Sequence, residues 1–146
     1  MSTSLVHHVM STAPVTVSPA TPVSALLALF DRHDFNAFPV VNDRSQMVGV
    51  VSKLDVLSAF LAAYPADGAI AEVRTDALMT RDVIAAGPED SLAAAGELMV
   101  GAKLHSLPVV DRRGGESLLL GIVSRGDILR GLRYRLEDAA VGRTPR

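Results

Sequence analysis

The stretch Gly49-Val50-Val51-Ser52-Lys53-Leu54-Asp55 recurs as Gly121-Ile122-Val123-Ser124-Arg125-Gly126-Asp127, and each copy follows a Pro-Val-Val, at residues 39–41 and 108–110. A chain with this duplication is restricted to folds in which one unit is used twice. Working back from Pro39 and Pro108 at their offset of 69 pairs Met10 with Met79, Pro19 with Pro88, Ala25 with Ala94 and Leu29 with Leu98. Past the Pro-Val-Val the offset grows to 72, because seven residues separate Val41 from Gly49 and ten separate Val110 from Gly121. A turn is where a duplicated fold takes extra residues most easily.

Each copy shows the same order of elements. Residues 15–17 read as a short strand, and Thr21-Pro22 as an N-cap with proline at the first helical position. Val23, Leu26, Leu27 and Phe30 then share one helix face. Residues 37–41 and 47–51 read as strands joined by the polar turn 42–45, and a helix from Ser52 carries Val56, Leu57, Phe60 and Leu61 until Pro65 and Gly68 break it. In the second copy residues 84–86 are the short strand, and Leu92, Ala95, Leu98, Met99 and Ala102 the helix face. A hairpin of 107–110 and 118–123 around Gly114-Gly115 precedes a last helix bearing Ile128, Leu129, Leu132 and Leu136. Helical segments at about residues 5–10 and 69–79 lead into the two copies.

The expected fold class is α/β, two tandem β-α-β-β-α repeats packed with pseudo-twofold symmetry. The repeats are placed at residues 1–64 and 69–136, with a linker at 65–68 and a flexible C-terminal tail at 137–146. A single copy of about fifty residues would bury its apolar surface only marginally, so the two are expected to share one core, with equivalent clefts between them.

Composition narrows the function classes. Hydrophobic residues at 49% and charged ones at 21% describe a globular chain. No apolar run reaches the ~18 residues of a membrane span, and the start lacks a signal-peptide pattern, so a soluble cytoplasmic protein without membrane contact is expected. The absence of cysteine removes disulfides, thiolate nucleophiles and sulfur-ligated metal; with only four His, no metal site is expected. The net charge of −2 argues against a general nucleic-acid binder. Arg125, Arg130, Arg133, Arg135, Arg143 and Arg146 are offset in part by Asp127, Glu137 and Asp138, and read as a solvated basic helix face followed by a loose tail. No Gly-rich phosphate loop, nucleophile elbow or paired carboxylates occur, so neither an enzyme nor a catalytic cofactor is expected.

Chemistry could sit at Gly-x-x-Ser-x-x-Asp. The Ser caps a helix that starts where an apolar strand ends, so free N–H groups and the helix dipole are expected to converge on an anion there. Lys53 or Arg125 stands next to the Ser, and Asp55 or Asp127 one turn deeper could accept both hydroxyls of a ribose. Phosphate and ribose together describe a nucleotide. Ser-x-x-Asp is equally a capping-box spacing, and a duplicated cap would look identical, so the pattern leaves both readings open.

With its paired Met10-Ser11-Thr12 and Met79-Thr80-Arg81 openings, the Val15-Thr16-Val17-Ser18-Pro19 segment, two hydrophobic-Pro-Val-Val strands and two Gly-x-x-Ser-x-x-Asp ends, the chain resembles a tandem CBS-domain pair, or Bateman module, over about residues 5–136. The resemblance implies a stand-alone regulatory module that senses energy or metabolite state by binding AMP, ADP, ATP or S-adenosylmethionine in the clefts between repeats. Carried over to this chain, Asp55 and Asp127 would hold ribose, and Ser52 with Lys53 and Ser124 with Arg125 would hold phosphate. The base would lie against Thr16 and Val17 or Ile84 and Ala85, and against Phe38-Pro39 or Leu107-Pro108. Many family members have Arg-His ahead of the hydrophobic-Pro; Asn36-Ala37 and His105-Ser106 stand here, so phosphate contacts from Asn36 and His105 do not carry over directly, least of all in the first copy.

Family members also commonly pair through the helices near Phe60 and Leu132, so a homodimer is expected, with the regulated target left open. From charge alone the Asp127 site, with Arg125, Gly126 and His105 beside it, is expected to favour phosphate-rich ligands modestly. The alternative is a scaffold with empty clefts whose apolar helices serve dimerisation or protein interaction.

Overall fold

The computed structural model describes residues 5–142. Its five strands are β1 (Ser11–Thr12), β2 (Ala37–Val41), β3 (Met47–Ser52), β4 (Ser106–Asp111) and β5 (Leu118–Ser124), and its four α-helices are α1 (Val23–Arg32), α2 (Lys53–Ala63), α3 (Leu92–Ala102) and α4 (Arg125–Gly142). The chain is mixed α/β, and both expected hairpins form. β2 pairs antiparallel with β3 (Phe38 opposite Val51, Val40 opposite Gly49), and β4 with β5 (Leu107 opposite Val123, Val109 opposite Gly121).

Compact units and sequence repeats do not coincide. One unit is Val15–Val83; the other joins the residues up to Pro14 to those from Ile84 onward. The leading segments are exchanged. Residues 5–12, which precede the first repeat in sequence, dock on the second: Val6 N–H donates to the Asp90 carbonyl and His7 N–H to that of Pro88 (2.9 Å each). Likewise Thr75 and Asp76 N–H donate to the carbonyls of Thr21 and Pro19 (2.9 Å each) in the first repeat. The glycine that opens each Gly-x-x-Ser-x-x-Asp motif is required by this docking. A Cβ at Gly49 would lie 2.8 Å from both the Met79 sulfur and the Thr80 carbonyl oxygen, and one at Gly121 would run into the Ser11 carbonyl. β1 therefore pairs with β5 through Ser11–Ile122 and Thr12–Gly121, giving a three-stranded sheet β1-β5-β4. In the other unit a single bridge between Val50 and Thr80 takes the same place beside the two-stranded sheet.

Several expectations are corrected. The leading segments are short 3-10 turns, at Val6–His8 in one case and at Asp67–Glu72 and Thr75–Ala77 in the other. The strands expected at 15–17 and 84–86 shrink to single parallel bridges, Val17 to Val40 and Ala86 to Val109. Proline is the cause. Val17 N–H donates to the Pro39 carbonyl (3.0 Å) and Val41 N–H to that of Val17 (2.9 Å), and the next rung would need the N–H that Pro39 lacks; Pro108 stops the second ladder in the same way. The N-cap of α1 is Pro22 rather than Thr21, whose hydroxyl oxygen instead accepts from Ser18 N–H at 3.1 Å. α4 runs on through residues 137–142, where a tail was expected; residues 143–146, like 1–4, lie outside the described residues.

Most of the buried apolar residues belong to two clusters, one in each unit and each completed by the segment it receives. Val17, Val23, Leu26, Phe38, Val40, Val51 and Val56 make one, with Ile70, Val73, Leu78 and Met79 against it. Val6 is fully buried in the other, among Ala86, Ala95, Met99, Leu107, Val109 and Val123. Leu27, Leu57, Leu61, Leu98, Leu129, Leu132 and Leu136, expected on apolar helix faces, are exposed.

Candidate functional site

Both Ser-x-x-Asp motifs are formed as capping boxes. Ser52 Oγ accepts from Asp55 N–H at 3.0 Å while Asp55 Oδ2 accepts from Ser52 N–H at 2.8 Å. Ser124 and Asp127 repeat this at 3.1 and 2.9 Å. The residue after each Ser donates its N–H to the loop ahead of the preceding strand, Lys53 to the Asn36 carbonyl (2.9 Å) and Arg125 to the His105 carbonyl (3.0 Å). The free N–H cradle expected at these ends is thus corrected: at α2 the N–H groups of Ser52, Lys53 and Asp55 are already engaged, and at α4 those of Ser124, Arg125 and Asp127. What remains for a ligand is the N–H of the second helical residue, Leu54 or Gly126, the hydroxyl proton of each Ser, since an oxygen that accepts from a cap N–H can still donate, and any carboxylate oxygen the cap leaves unused.

The carboxylates differ in that respect. Asp55 is half-buried, and its Oδ1 has no partner among the described residues. Asp127 is 6% exposed, and its Oδ1 is held by the guanidinium of Arg130, one helical turn on. The flanking cations differ as well. Lys53 Nζ lies 6.0 Å from the centre of the Phe30 ring and forms no ion pair among the described residues, whereas Arg125 Nε donates to the Leu104 carbonyl at 2.8 Å.

Of the residues expected against a base, Phe38 and Leu107 are fully buried core, and Pro39 and Pro108 are buried beside them, so these side chains have no surface to offer. Val17 is buried and Thr16 partly so. In the second repeat the bridge falls on Ala86, which puts Ala85 and Ala86, rather than Ile84 and Ala85, in the places of Thr16 and Val17; Ile84 is exposed. Asn36 and His105 are exposed and reach the helix start through their carbonyls. The accessible ring near the first motif is Phe35, 45% exposed and stacked on His33 at 5.3 Å with 3° between planes, its edge toward Phe38 at 5.9 Å. Sequence reasoning missed it, although three of the chain's four Phe fall within residues 30–38.

Two α/β repeats, each turning from an apolar strand through a Ser–Asp box into a helix, define a duplicated α/β module. The CBS domain family matches at residues 6–62 and 72–134, and the chain belongs to that family. It is 28% identical over 125 residues to the CBS domain-containing protein YhcV of Bacillus subtilis, covering 86% of this chain and 83% of that one. It is also 28% identical over 120 residues to the inosine-5'-monophosphate dehydrogenase of Methanocaldococcus jannaschii, where 82% of this chain spans only 22% of the relative. Among solved structures it is similar to CBSX2 in complex with AMP, with 27% identity, a TM-score of 0.76, and coverage of 91% of this chain and 98% of that one. No helix among the described residues is long and apolar enough to cross a membrane.

Proposed function

We propose that the chain is a regulatory, non-catalytic CBS pair that binds an adenosine-containing ligand, AMP, ADP, ATP or S-adenosylmethionine, at its Ser–Asp motifs in a cytoplasmic setting. The observation that carries this reading is the carboxylate oxygen of Asp55 left unused among the described residues, set beside a hydroxyl donor at Ser52, a Lys53 without an ion-pair partner among those residues and an exposed aromatic ring at Phe35. These suit a ribose diol, a phosphate and a base in turn. The AMP-bound state of the similar CBSX2 supports the ligand class. Titration calorimetry with the four ligands, and guanosine and cytidine nucleotides as controls, should give an adenine preference at micromolar to millimolar dissociation constants, about −4 to −8 kcal/mol. Absence of heat and of thermal shift with all four, on protein freed of bound ligand, would leave the scaffold reading standing. That reading is favoured by the completeness of both capping boxes.

Pairing of two copies is part of the proposal. Leu54, Leu57, Leu61 and Tyr64 along α2, and Leu129, Leu132 and Leu136 on α4, are 44–70% exposed, an apolar surface of the kind that marks interfaces. Light scattering should report a homodimer that Leu132→Asp loosens; a concentration-independent 15.4 kDa species would refute it.

A further inference from the structure

The two motifs are equivalent in sequence but not in availability. A ribose diol needs carboxylate oxygens that can accept its two O–H groups. At Asp127 the cap takes Oδ2 and Arg130 takes Oδ1, so a diol must displace a charge-assisted hydrogen bond on a carboxylate almost withdrawn from solvent. Three residues after Asp55 stands Ser58, which carries no charge, and beyond the cap on Oδ2 no side chain among the described residues holds that carboxylate. The remaining differences run the same way. Arg125 is drawn onto the Leu104 carbonyl while Lys53 is unpaired among the described residues. Phe35 and His33 offer a stacked, accessible face where the second repeat, at the same offset, has Leu104 and Ala102.

We propose that the motif of Asp55 is the primary nucleoside site, and that Arg130 is a specificity-determining residue that holds the motif of Asp127 shut until its guanidinium moves away. This rests on the adenosine-ligand reading above and reverses the order expected from charge alone, because charge already spent on the protein's own groups is not available to a phosphate. Arg130 is half-exposed and lines an open groove with His8, Tyr134, Glu137 and Asp138, so it has room to swing; Glu137 is already paired with Arg133, which leaves Asp138 as the carboxylate to swing towards. The Asp127 site thereby becomes a second, weaker one.

The test is calorimetric titration of the full chain with AMP, comparing the wild type with Asp55→Asn and Arg130→Met, together with side-chain NMR of the arginine Nε–H groups without ligand. The wild type should show one tighter step per chain. Asp55→Asn should weaken that step by about tenfold or more, and Arg130→Met should tighten the second step by about tenfold, bringing the stoichiometry towards two. In the ligand-free spectra the Arg130 signal should move when Asp127 is replaced by Asn. AMP binding with a second step unmoved by Arg130→Met, a tight step indifferent to Asp55→Asn, or an Arg130 signal identical in wild type and Asp127→Asn would each overturn the inference alone. Absence of heat with AMP, ADP, ATP and S-adenosylmethionine alike, in both the wild type and Arg130→Met, would overturn the functional reading and this inference together.

Discussion

The two repeats are alike wherever the backbone is being shaped and unlike wherever a side chain is left over. Both hairpins shift register directly after the Val opposite Gly, between Val40 and Val41 and between Val109 and Val110, both ladders stop at proline, and both helices after the sheet begin in the same reciprocal cap. Around that shared frame one unit packs aromatic rings, with Phe30 and Phe38 4.7 Å apart, whereas the other fills the same positions with Met99 and Leu107. One leaves an aspartate oxygen open; the other closes it with Arg130. A duplicated pattern therefore specifies the fold, and its unduplicated residues decide what each copy does.

Substitutions that strike both copies in the same place sharpen this comparison. The largest effect is expected in the cores, where Phe38→Ala should cost about 3–5 kcal/mol and Leu107→Ala about 2–5 kcal/mol by chemical denaturation, since both side chains are fully buried. Equal, small losses would mean that the cores are looser than their burial implies. Next come the motif glycines. Gly121→Ala forces a methyl into a backbone carbonyl and should cost about 1–3 kcal/mol. Gly49→Ala should cost somewhat less, because part of its obstruction is the flexible end of Met79; thermal melts reversing that order would break the assigned docking of the leading segments.

Smaller still are the caps. Ser52→Ala and Ser124→Ala should each lower stability by about 1 kcal/mol, with Ser124→Ala the more severe because it weakens the setting of the more deeply buried aspartate. The smallest effect separates the two hairpin turns. Asp111 is held at a pKa of about 2, first by its hydrogen bonds from the Arg113 side chain and then by the Arg113 N–H. A carboxylate depressed in the folded state contributes stability above its unfolded value, near 4, and that contribution is lost as pH falls towards 2. The difference in melting temperature between wild type and Asp111→Asn should fade across that window, and being solvent-screened it should be slight. The other turn is closed by Asn42 and Gln46, which do not titrate, so Asn42→Ala should show no such pH dependence.

How much of this was legible follows from the range of each interaction. Period-two and period-3.6 patterns found both hairpins and all four helices, and the Ser-x-x-Asp spacing found both caps, because those bonds close within a few residues. The exchange of leading segments was not legible: Met10 and Met79 stand out as a repeated pair, but nothing in their spacing says that each lies against the other copy's glycine. The strand at 15–17 was overread because apolar alternation does not register the missing N–H of a proline more than twenty residues away. At the site, the residue types of the motif were readable, while the unequal states of Asp55 and Asp127 turned on Arg130, which sequence alone places only in a basic helix face.

The exchange also sets an order of events for the chain as it is made. Ser11 and Thr12 leave the ribosome well before their partners Gly121 and Ile122, which follow about 110 residues later in the chain. Until then Val6 has no core to enter, and β5, once made, keeps one uncovered edge until Ser11 and Thr12 pair with it. Contacts this distant in sequence are slow to form, and an open strand edge invites pairing with the same edge of another nascent chain. The segment at residues 5–12 is thus a late fastener, and its slow docking leaves an edge open to misassembly while the chain is being made.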